Sequence, residues 1–306
     1  MSKQYGHKFR MIRQERGLST KYVAANIISV AGLSKFERDE GSISIDRLVQ
    51  LLDRMNVSMT EFLNRVDNYH GGQSVNLYNK LSKLIMHKDV AGIINLRRAE
   101  LVAIEDNNDI HDQHRLNSIA LECAIALVQD KEPATAHVKV AIDYLRDVDN
   151  WMQFDMRVAG VILTFVDDDT LRWFADSLFK RVYDTQRLVD NGFRAGEVGL
   201  NILALFLERG LLDDALDTIN RLQDSSLPHY LVAFAFRFES LKAIYQYLQG
   251  NRDRAERTFQ LIDNSMTWMK LTESLKFLIV QRKSIINTNE QRHPNNSISY
   301  SPSFVS

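Results

Sequence analysis

Two histidines and a cysteine are the side chains of this sequence whose types and spacing come nearest to metal binding or covalent catalysis. His111 and His114 stand three residues apart among aspartates in the segment DNNDIHDQHR (106–115), and such a pair can ligate a metal ion. Because no third and fourth ligand follows at a recognisable spacing, we interpret this segment as a polar loop between helices. Cys123 lies in an apolar helical pattern without a basic neighbour in sequence, which is typical of an inert packing residue.

Glycine-containing patterns for phosphate loops, dinucleotide binding and nucleophile elbows are missing from the sequence. The acidic run VDDDT (166–170) is explained by the start of a helix, since acidic side chains are favoured at the positive end of the helix dipole. We therefore predict a protein that is not an enzyme and that needs no metal and no cofactor.

The basic side chains of residues 1–65 are suited to a different chemistry, contact with a polyanion. This segment contains eleven lysines and arginines against seven acidic residues, a net charge of +4, whereas the whole 306-residue chain has a net charge of −1. The remainder is therefore acidic, with a net charge of −5. A basic segment on an acidic remainder indicates that only the first 65 residues meet a polyanion such as DNA.

Five short helices separated by turns are predicted within residues 1–65. The first helical pattern ends at Gly17, and Ser19 and Ser29 are suitable N-caps for the second and third helices because a serine oxygen accepts a free backbone N–H. Ser58 and Glu61 have the spacing of a capping box at the start of the fifth helix. The second and third helices, joined by a short turn, predict a helix-turn-helix.

Several of these residues resemble the phage-repressor-like helix-turn-helix: Arg13, GLS (17–19), Val23-Ala24, Leu33, FER (36–38) and LLDRMNVSMTEFL (51–63). More narrowly, the segment LSKFERDEGSISIDRLVQLLDRMNVSMTEF resembles the Rgg-type (Rgg/GadR/MutR) regulators of streptococci and related bacteria. The resemblance implies a structural ion pair between Arg13 on the first helix and Glu37 at the end of the third. It also implies that the third helix is the recognition helix, which enters the major groove of DNA.

The recognition helix begins with Val30, Ala31 and Gly32, where members of this family usually carry polar residues. Val30 and Ala31 can contact thymine methyl groups, which is a weak form of discrimination. Lys35 faces outward if Leu33 faces the core, so we expect it to contact guanine or phosphate. Much of the specificity is expected from DNA shape or from two half-sites of a dimer. Thr20, Lys21 and Arg38 are placed to hold phosphates at the ends of the second and third helices. The predicted DNA-contacting residues are therefore Thr20, Lys21, Val30, Ala31, Lys35 and Arg38.

Residues beyond the Gly-Gly break at 71–72 predict helix after helix, with a weak internal repeat. RGLLDDALDTINRL (209–222) and QGNRDRAERTFQLI (249–262) align at a separation of forty, matching Gly210 with Gly250 and Ala215 with Ala255. This pattern is typical of the second half of a tetratricopeptide-like hairpin, and stacked hairpins form a curved groove. We predict an all-α fold: residues 1–65 form a five-helix helix-turn-helix domain, 66–75 a linker, 76–286 a helical-repeat domain and 287–306 a disordered tail.

The segment VDNWMQFDMRVAGVILTFV (148–166) also resembles the Rgg-type pattern. The resemblance implies a homodimer whose repeat domain binds a short signalling peptide. A peptide groove needs amide groups for the peptide backbone and aromatic rings for its apolar side chains. Asn201 lies in an otherwise apolar helix, although an asparagine bonded within the core fits that pattern equally well. Arg237 is a candidate clamp for a peptide carboxylate. Phe234 belongs to an aromatic stripe at helical spacing, which more often packs in the core than contacts a ligand. The predicted peptide-binding residues are Asn201, Arg237, Arg194, Tyr230, Phe234 and Arg157.

The longest apolar run, VAGVILTFV (158–166), is too short for a membrane span, and a single cysteine fits a reducing compartment. We therefore expect a cytoplasmic protein that does not enter a membrane.

Two interpretations of function remain open from the sequence. The first interpretation is a quorum-sensing transcriptional regulator that binds double-stranded promoter DNA and a short signalling peptide. The alternative is a helical-repeat interaction scaffold with a vestigial DNA-binding segment, which the apolar start of the recognition helix favours.

Overall fold

The structure, a computed structural model, describes residues 5–66, 73–104, 109–181, 189–224 and 232–292. Throughout these ranges the regular elements are helices, which confirms the predicted all-α class. The chain divides into two compact units, Met1–Asn79 and Lys80–Ser306, called the N-terminal and C-terminal units below. Among the described residues, no helix has the length and apolar character needed to cross a membrane.

Helix boundaries in the N-terminal unit follow local capping signals. The Ser19 hydroxyl accepts the N–H of Tyr22 at 3.1 Å, and the Ser29 hydroxyl accepts that of Gly32 at 3.0 Å. Ser58 and Glu61 form the predicted capping box, with both reciprocal hydrogen bonds present. Each predicted cap is therefore confirmed. The helices are α1 (Tyr5–Glu15), α2 (Thr20–Ala24), α3 (Val30–Glu37), α4 (Ile45–Arg54) and α5 (Met59–Arg65).

A small aromatic core holds these helices together. Phe9 of α1 is fully buried and meets Phe36 of α3 and Phe62 of α5 edge-on, with ring centroids 5.6 and 6.2 Å apart. Leu33 and Leu51 belong to the same cluster of buried side chains. Because Phe9 contacts both α3 and α5, the position of α3 is set by packing against the core as well as by its own caps.

The C-terminal unit is built from helices that pack against their sequence neighbours and, further along the chain, against every second helix. The described helices from residue 73 onward are α6 (Gln73–Met86), α7 (Val90–Ala103), α8 (Gln113–Gln129), α9 (Thr135–Asp147), α10 (Gln153–Ile162), α11 (Asp168–Arg181), α12 (Val189–Arg209), α13 (Leu212–Asp224), α14 (Val232–Leu248), α15 (Arg252–Trp268) and α16 (Thr272–Arg292). A 3-10 turn, Leu163–Phe165, continues α10. The predicted linker, 66–75, overlaps the start of α6, and the boundary between the two units falls within that helix.

The predicted repeat corresponds to two helical hairpins, α12–α13 and α14–α15, that turn in the same way. Gly210 and Gly250 both have positive φ, +75° and +89°. The residue after each glycine donates its backbone N–H to a carbonyl oxygen five residues earlier. Leu211 donates to Phe206 and Asn251 donates to Gln246, both at 2.9 Å. This is the Schellman type of helix ending, in which the residue after the helix is left-handed and glycine is favoured. The matched alanines, 215 and 255, are both fully buried, as close helix packing requires.

Helix α16 continues to Arg292, six residues past the expected end of the repeat domain at 286. The Asn289 side chain donates to the backbone oxygens of Leu207 at 2.8 Å and Ile285 at 2.9 Å, and Arg292 donates to the oxygen of Glu208 at 3.0 Å. These bonds satisfy carbonyls at the end of α12 and fasten the last turns of α16. Polar composition therefore misplaced the start of the tail. Residues 293–306 lie outside the described residues.

His111 and His114, the two histidines considered as metal ligands, each contact a different carboxylate. His111 Nε2 lies 2.8 Å from Asp147 Oδ2, and His114 Nδ1 lies 2.8 Å from Glu100 Oε2. In the part of the chain that the structure describes, no group of three potential ligands could hold a metal ion. Cys123 is fully buried, and burial, with a smaller contribution from Glu122, raises the pKa of its thiol to about 12.

Candidate functional site

The exposed surface of α2 and α3 is the first candidate site. Leu33 and Phe36 turn toward the core, whereas Val30, Ala31 and Lys35 are exposed, and Val30 keeps 46% of its surface accessible. The periodicity of the helix therefore separates a packing side from an outward side, as predicted. The outward side presents two small apolar groups and one ammonium group to whatever molecule docks there.

Arg13 and Glu37 brace α3 from behind. Arg13 Nε donates to Glu37 Oε1 at 2.6 Å and Nη2 donates to Oε2 at 2.8 Å, a bidentate pair in which both residues are buried. The third donor, Nη1, reaches the backbone oxygen of Leu18 at 2.7 Å, just before α2. The hydrogen bond with Glu37 is the largest cause that raises the pKa of Arg13. One guanidinium thus fixes α1, the end of α3 and the entry to α2.

Arg54 at the end of α4 is a further bracing residue, which the sequence alone did not indicate. Its Nη1 donates to the backbone oxygens of Val23 at 3.2 Å and of Ala25, with a longer contact of 3.4 Å to Tyr22. These carbonyls are the free acceptors at the end of α2. Arg54 therefore fixes the turn between α2 and α3. Its sequence position signals only a basic residue in the last turn of its own helix.

The remaining predicted DNA contacts differ in their availability. Lys21 is exposed and Thr20 is half-buried, both in the first turn of α2. Arg38 is exposed but already donates to Glu40 Oε2 through Nε at 2.8 Å and Nη2 at 2.6 Å. A phosphate would have to replace this carboxylate, so Arg38 is a weaker phosphate ligand than its exposure suggests.

Gly32 has a structural reason that does not depend on DNA. A Cβ atom at this position would lie 3.0 Å from Ile28 Cγ1 and 3.0 Å from the Ser29 hydroxyl that caps α3. Both distances are tighter than ordinary van der Waals contact. The glycine thus preserves the N-cap of the recognition helix, and its presence does not indicate that the helix has lost its function.

A buried guanidinium organises the second candidate site, within the C-terminal unit. Arg237 on α14 is only 8% exposed and donates to Asn201 Oδ1 on α12 at 2.8 Å. It also contacts Glu197 Oε2 at 3.3 Å and Gln281 Oε1 on α16 at 3.4 Å, and its guanidinium lies 5.3 Å from the centre of the Phe277 ring. Burial lowers the pKa of Arg237, and the charge of Glu197 opposes this change. Arg237 therefore links α12, α14 and α16.

This geometry gives Arg237 partners inside the protein, which the sequence did not indicate. A clamp for a peptide carboxylate needs donors that face the ligand, but the donors of Arg237 are directed at Asn201, Glu197 and Gln281. The sequence suggested a free cation because each of these partners lies 36 to 44 residues away along the chain. Asn201 likewise has a partner inside the protein, which is the alternative that the sequence left open.

A cavity of about 360 Å³ lies beside this network. Its chemistry is mixed, with apolar side chains, the two acidic residues Glu197 and Glu273, and Arg237. Its volume is at the lower end of the range for ligand pockets, enough for part of a short peptide. The lining residues are Met86, Glu197, Ala233, Arg237, Met266, Glu273, Ser274, Phe277 and Leu278.

The other predicted peptide-binding residues are distributed over three helices and one undescribed segment. Phe234 is 1% exposed and belongs to the core, and its ring would lie 2.7 Å from a Cβ added at Gly196. Arg157 on α10 is buried, whereas Arg194 on α12 is half-buried with its guanidinium 5.5 Å from the centre of the Phe193 ring. Tyr230 lies outside the described residues. Of the six, the structure joins Asn201 and Arg237 directly.

A braced helix-turn-helix and a unit of repeated helical hairpins, joined in one chain, define the class as a helix-turn-helix transcriptional regulator. Family comparison agrees with this class, since a helix-turn-helix model matches residues 9–62. The model of the C-terminal domain of the HTH-type transcriptional regulator Rgg matches residues 101–276, more than half of the chain. The chain belongs to the Rgg family of HTH-type transcriptional regulators.

Solved structures share this fold over nearly the whole chain. One is a cysteine-to-serine variant of the SHP pheromone receptor Rgg2 of Streptococcus dysgalactiae, at 19% identity and a TM-score of 0.75, covering 97% of this chain and 100% of that chain. Another is PrgX in its complex with cCF10, at 17% identity and a TM-score of 0.69, covering 98% of this chain and 95% of that chain. At such identities the likeness establishes the fold.

Proposed function

We propose that this Rgg-family regulator is a cytoplasmic homodimer that binds promoter DNA through α2 and α3 and responds to a short signalling peptide bound by its C-terminal unit. The observation that carries the proposal is a fully braced recognition helix in the same chain as an Rgg-type unit that contains a 360 Å³ cavity. The family defines a transcriptional regulator, and the peptide and the dimer are the proposed additions.

DNA binding by α2 and α3 rests on charge and on rigidity. The segment 1–65 has a net charge of +4, and Lys21 and Lys35 are exposed on α2 and α3. Such cations supply phosphate contacts, which give affinity and fix the register of the protein on the duplex. Val30 and Ala31 are exposed and small enough to approach thymine methyl groups. Two half-sites bound by a homodimer would supply the remaining specificity.

Two observations support control by a peptide: the cavity of the C-terminal unit, and the description of similar structures as a pheromone receptor and as a complex with cCF10. In this chain the cavity beside Arg237 offers apolar and polar groups together, as a peptide side chain and its backbone require. We propose that the peptide changes the spacing at which two N-terminal units meet the operator, so that half-sites fit or fail to fit.

The scaffold alternative is favoured by one observation, the apolar start of α3. Gly32 has a packing reason, however, and residues 1–65 keep a net charge of +4 with Lys21 and Lys35 exposed on α2 and α3, as DNA binding requires. The regulator is therefore the better supported of the two.

The deciding experiment compares binding of the full-length protein to its own upstream intergenic DNA and to a scrambled duplex over a series of salt concentrations. We expect preference for the native duplex, with affinity that falls steeply with salt. The comparison is then repeated with short peptides encoded beside the gene. Equal and weak binding to both duplexes, with and without peptide, would reject the regulator and leave the scaffold.

A further inference from the structure

The cavity between α12, α14 and α16 has an uneven charge. Two carboxylates line it, from Glu197 on α12 and Glu273 on α16, against one guanidinium, from Arg237. Lys276, which does not line the cavity and is 66% exposed, donates to Glu273 Oε1 at 2.9 Å. The guanidinium is 8% exposed, whereas the side chains of Glu197 and Glu273 are 37% and 81% exposed. The wall of the cavity therefore carries two carboxylates and one buried guanidinium, and the more exposed carboxylate, that of Glu273, is shared with the Lys276 ammonium outside the cavity.

The positive charge of Arg237 is also directed away from a ligand. Its nitrogen atoms contact Asn201, Glu197 and Gln281, and Phe277 lies against its guanidinium. A ligand carboxylate would have to displace Glu197 from this network and would then face that carboxylate at close range. Like charges at short distance in a partly buried site are unfavourable, so the geometry selects against an anionic group.

Apolar groups line the rest of the cavity. Phe277 is 51% exposed and Met86 is 68% exposed, whereas Met266 and Leu278 are nearly buried. Methionine and phenylalanine side chains adapt well to apolar ligands because thioethers are flexible and polarizable and rings offer large flat surfaces. The cavity therefore combines an adaptable apolar lining with two carboxylates.

We infer that this cavity takes the segment of the signalling peptide that carries a cationic group, a lysine, an arginine or a free N-terminus, next to an apolar side chain. The inference rests on the proposed function, because it specifies the chemistry of the peptide. Glu197 and Glu273 bind the cation, which replaces the exposed Lys276 at Glu273, and Phe277 with the methionines covers the apolar side chain. Arg237 positions Glu197 and does not itself bind the peptide.

The test uses an array of heptapeptides with acetylated N-termini and amidated C-termini, so that only side chains carry charge. Six positions vary among leucine, isoleucine, valine and phenylalanine, and one fixed position is lysine, glutamine or glutamate. Binding of labelled full-length protein is measured for the three sets. We expect the lysine set to exceed the glutamate set by about fivefold or more, the size of about 1 kcal/mol for a partly exposed ion pair.

Matched variants locate the effect. Glu273→Gln should reduce the lysine preference severalfold. Glu239→Gln is the control, because Glu239 on α14 has the same partner spacing, a lysine three residues on at 2.9 Å, but does not line the cavity. Ser274→Trp, at an exposed lining position, should reduce binding of all three sets by filling the cavity.

The outcomes distinguish failure of the cationic inference from failure of the proposed peptide receptor. Binding without charge preference, a preference for glutamate, or an equal effect of Glu239→Gln and Glu273→Gln would overturn the cationic inference and leave the peptide receptor standing. Binding that Ser274→Trp leaves unchanged would place the peptides elsewhere and would also overturn it. No binding of any set above that of an unrelated protein would overturn the peptide receptor together with the inference.

Discussion

Arg237 Nη2 donates to Asn201 Oδ1 at 2.8 Å, and this bond joins α14 to α12 inside the C-terminal unit. The two residues were predicted separately as peptide ligands, and the structure makes them each other's partner. The pair thus forms part of the support of the cavity, which Arg237 also lines. Its energetic role can be measured without any ligand.

Asn201→Ala should destabilise the C-terminal unit by about 1–3 kcal/mol, because it leaves a buried guanidinium without its best-placed acceptor. Adding Arg237→Met should cost less than the sum of the two single changes, with a coupling energy between 0.5 and about 3 kcal/mol. Urea unfolding followed by tryptophan fluorescence is the measurement, since Trp151, Trp173 and Trp268 all belong to this unit. Strict additivity would show that the two side chains do not interact.

Arg13→Met should destabilise the N-terminal unit by roughly 3 kcal/mol, since it leaves the buried carboxylate of Glu37 unpaired. Hydrogen exchange of the α3 amides should become faster, and binding to promoter DNA should weaken with it. Arg38→Ala removes the exposed pair with Glu40 and should change stability by less than about 0.5 kcal/mol. Equal effects of the two changes would contradict the bracing role of Arg13.

Gly210→Ala and Gly250→Ala should both destabilise the C-terminal unit, by at least about 1 kcal/mol, because alanine is strained at positive φ. The change at 210 should cost more, since its Cβ would lie 3.2 Å from Asn289 Oδ1, whereas the space at 250 is open. Gly160→Ala, inside α10 with only an ordinary contact to Val198, is the control and should be neutral or stabilising. Thermal unfolding ranks the stabilities of the three variants. A smaller loss of stability for Gly210→Ala than for Gly250→Ala would contradict the close approach of Asn289 to Gly210.

Lys35→Ala should weaken binding to the native duplex and reduce the slope of log affinity against log salt by about 1.8, because the homodimer loses one phosphate contact of about 0.9 at each of two half-sites. If Lys35 instead contacts a guanine, discrimination against the scrambled duplex should also fall. Lys139→Ala removes an exposed lysine from α9 and serves as the charge control. Fluorescence anisotropy over a salt series measures both slopes. Identical slopes for the two variants, together with unchanged discrimination against the scrambled duplex, would remove Lys35 from the interface.

Cys123 should resist alkylation by iodoacetamide in the native protein at pH 8. The reactive species is the thiolate, and a pKa of about 12 leaves roughly one part in ten thousand ionised at that pH. Labelling should become rapid only in urea, where burial no longer raises the pKa. Asn264→Cys, at an exposed position of α15, should react quickly without urea. Rapid modification of the native wild-type thiol would show that the core around α8 opens readily.

Local features of the fold were predictable because their atoms lie within a few residues of one another. The hydroxyls of Ser19, Ser29 and Ser58 cap N–H groups three residues on, and Gly210 and Gly250 end helices through bonds that span five residues. Each of these signals depends on backbone geometry that a short segment determines by itself. The all-α class followed from successive helical patterns, and the repeated hairpins from the internal repeat that matches Gly210 with Gly250.

Partners far apart in the chain were decided by the tertiary structure. Arg54 binds carbonyls about thirty residues before it, Arg237 binds side chains on two other helices, and Asn289 reaches Leu207 across 82 residues. A helical pattern indicates which side of a helix is buried, but not which neighbouring helix covers it or which acceptor lies within 3 Å. The sequence by itself thus determined a helix-turn-helix regulator with helical repeats. Only helix packing decided that Arg237 is enclosed, since burial requires a polar group to find partners inside the protein.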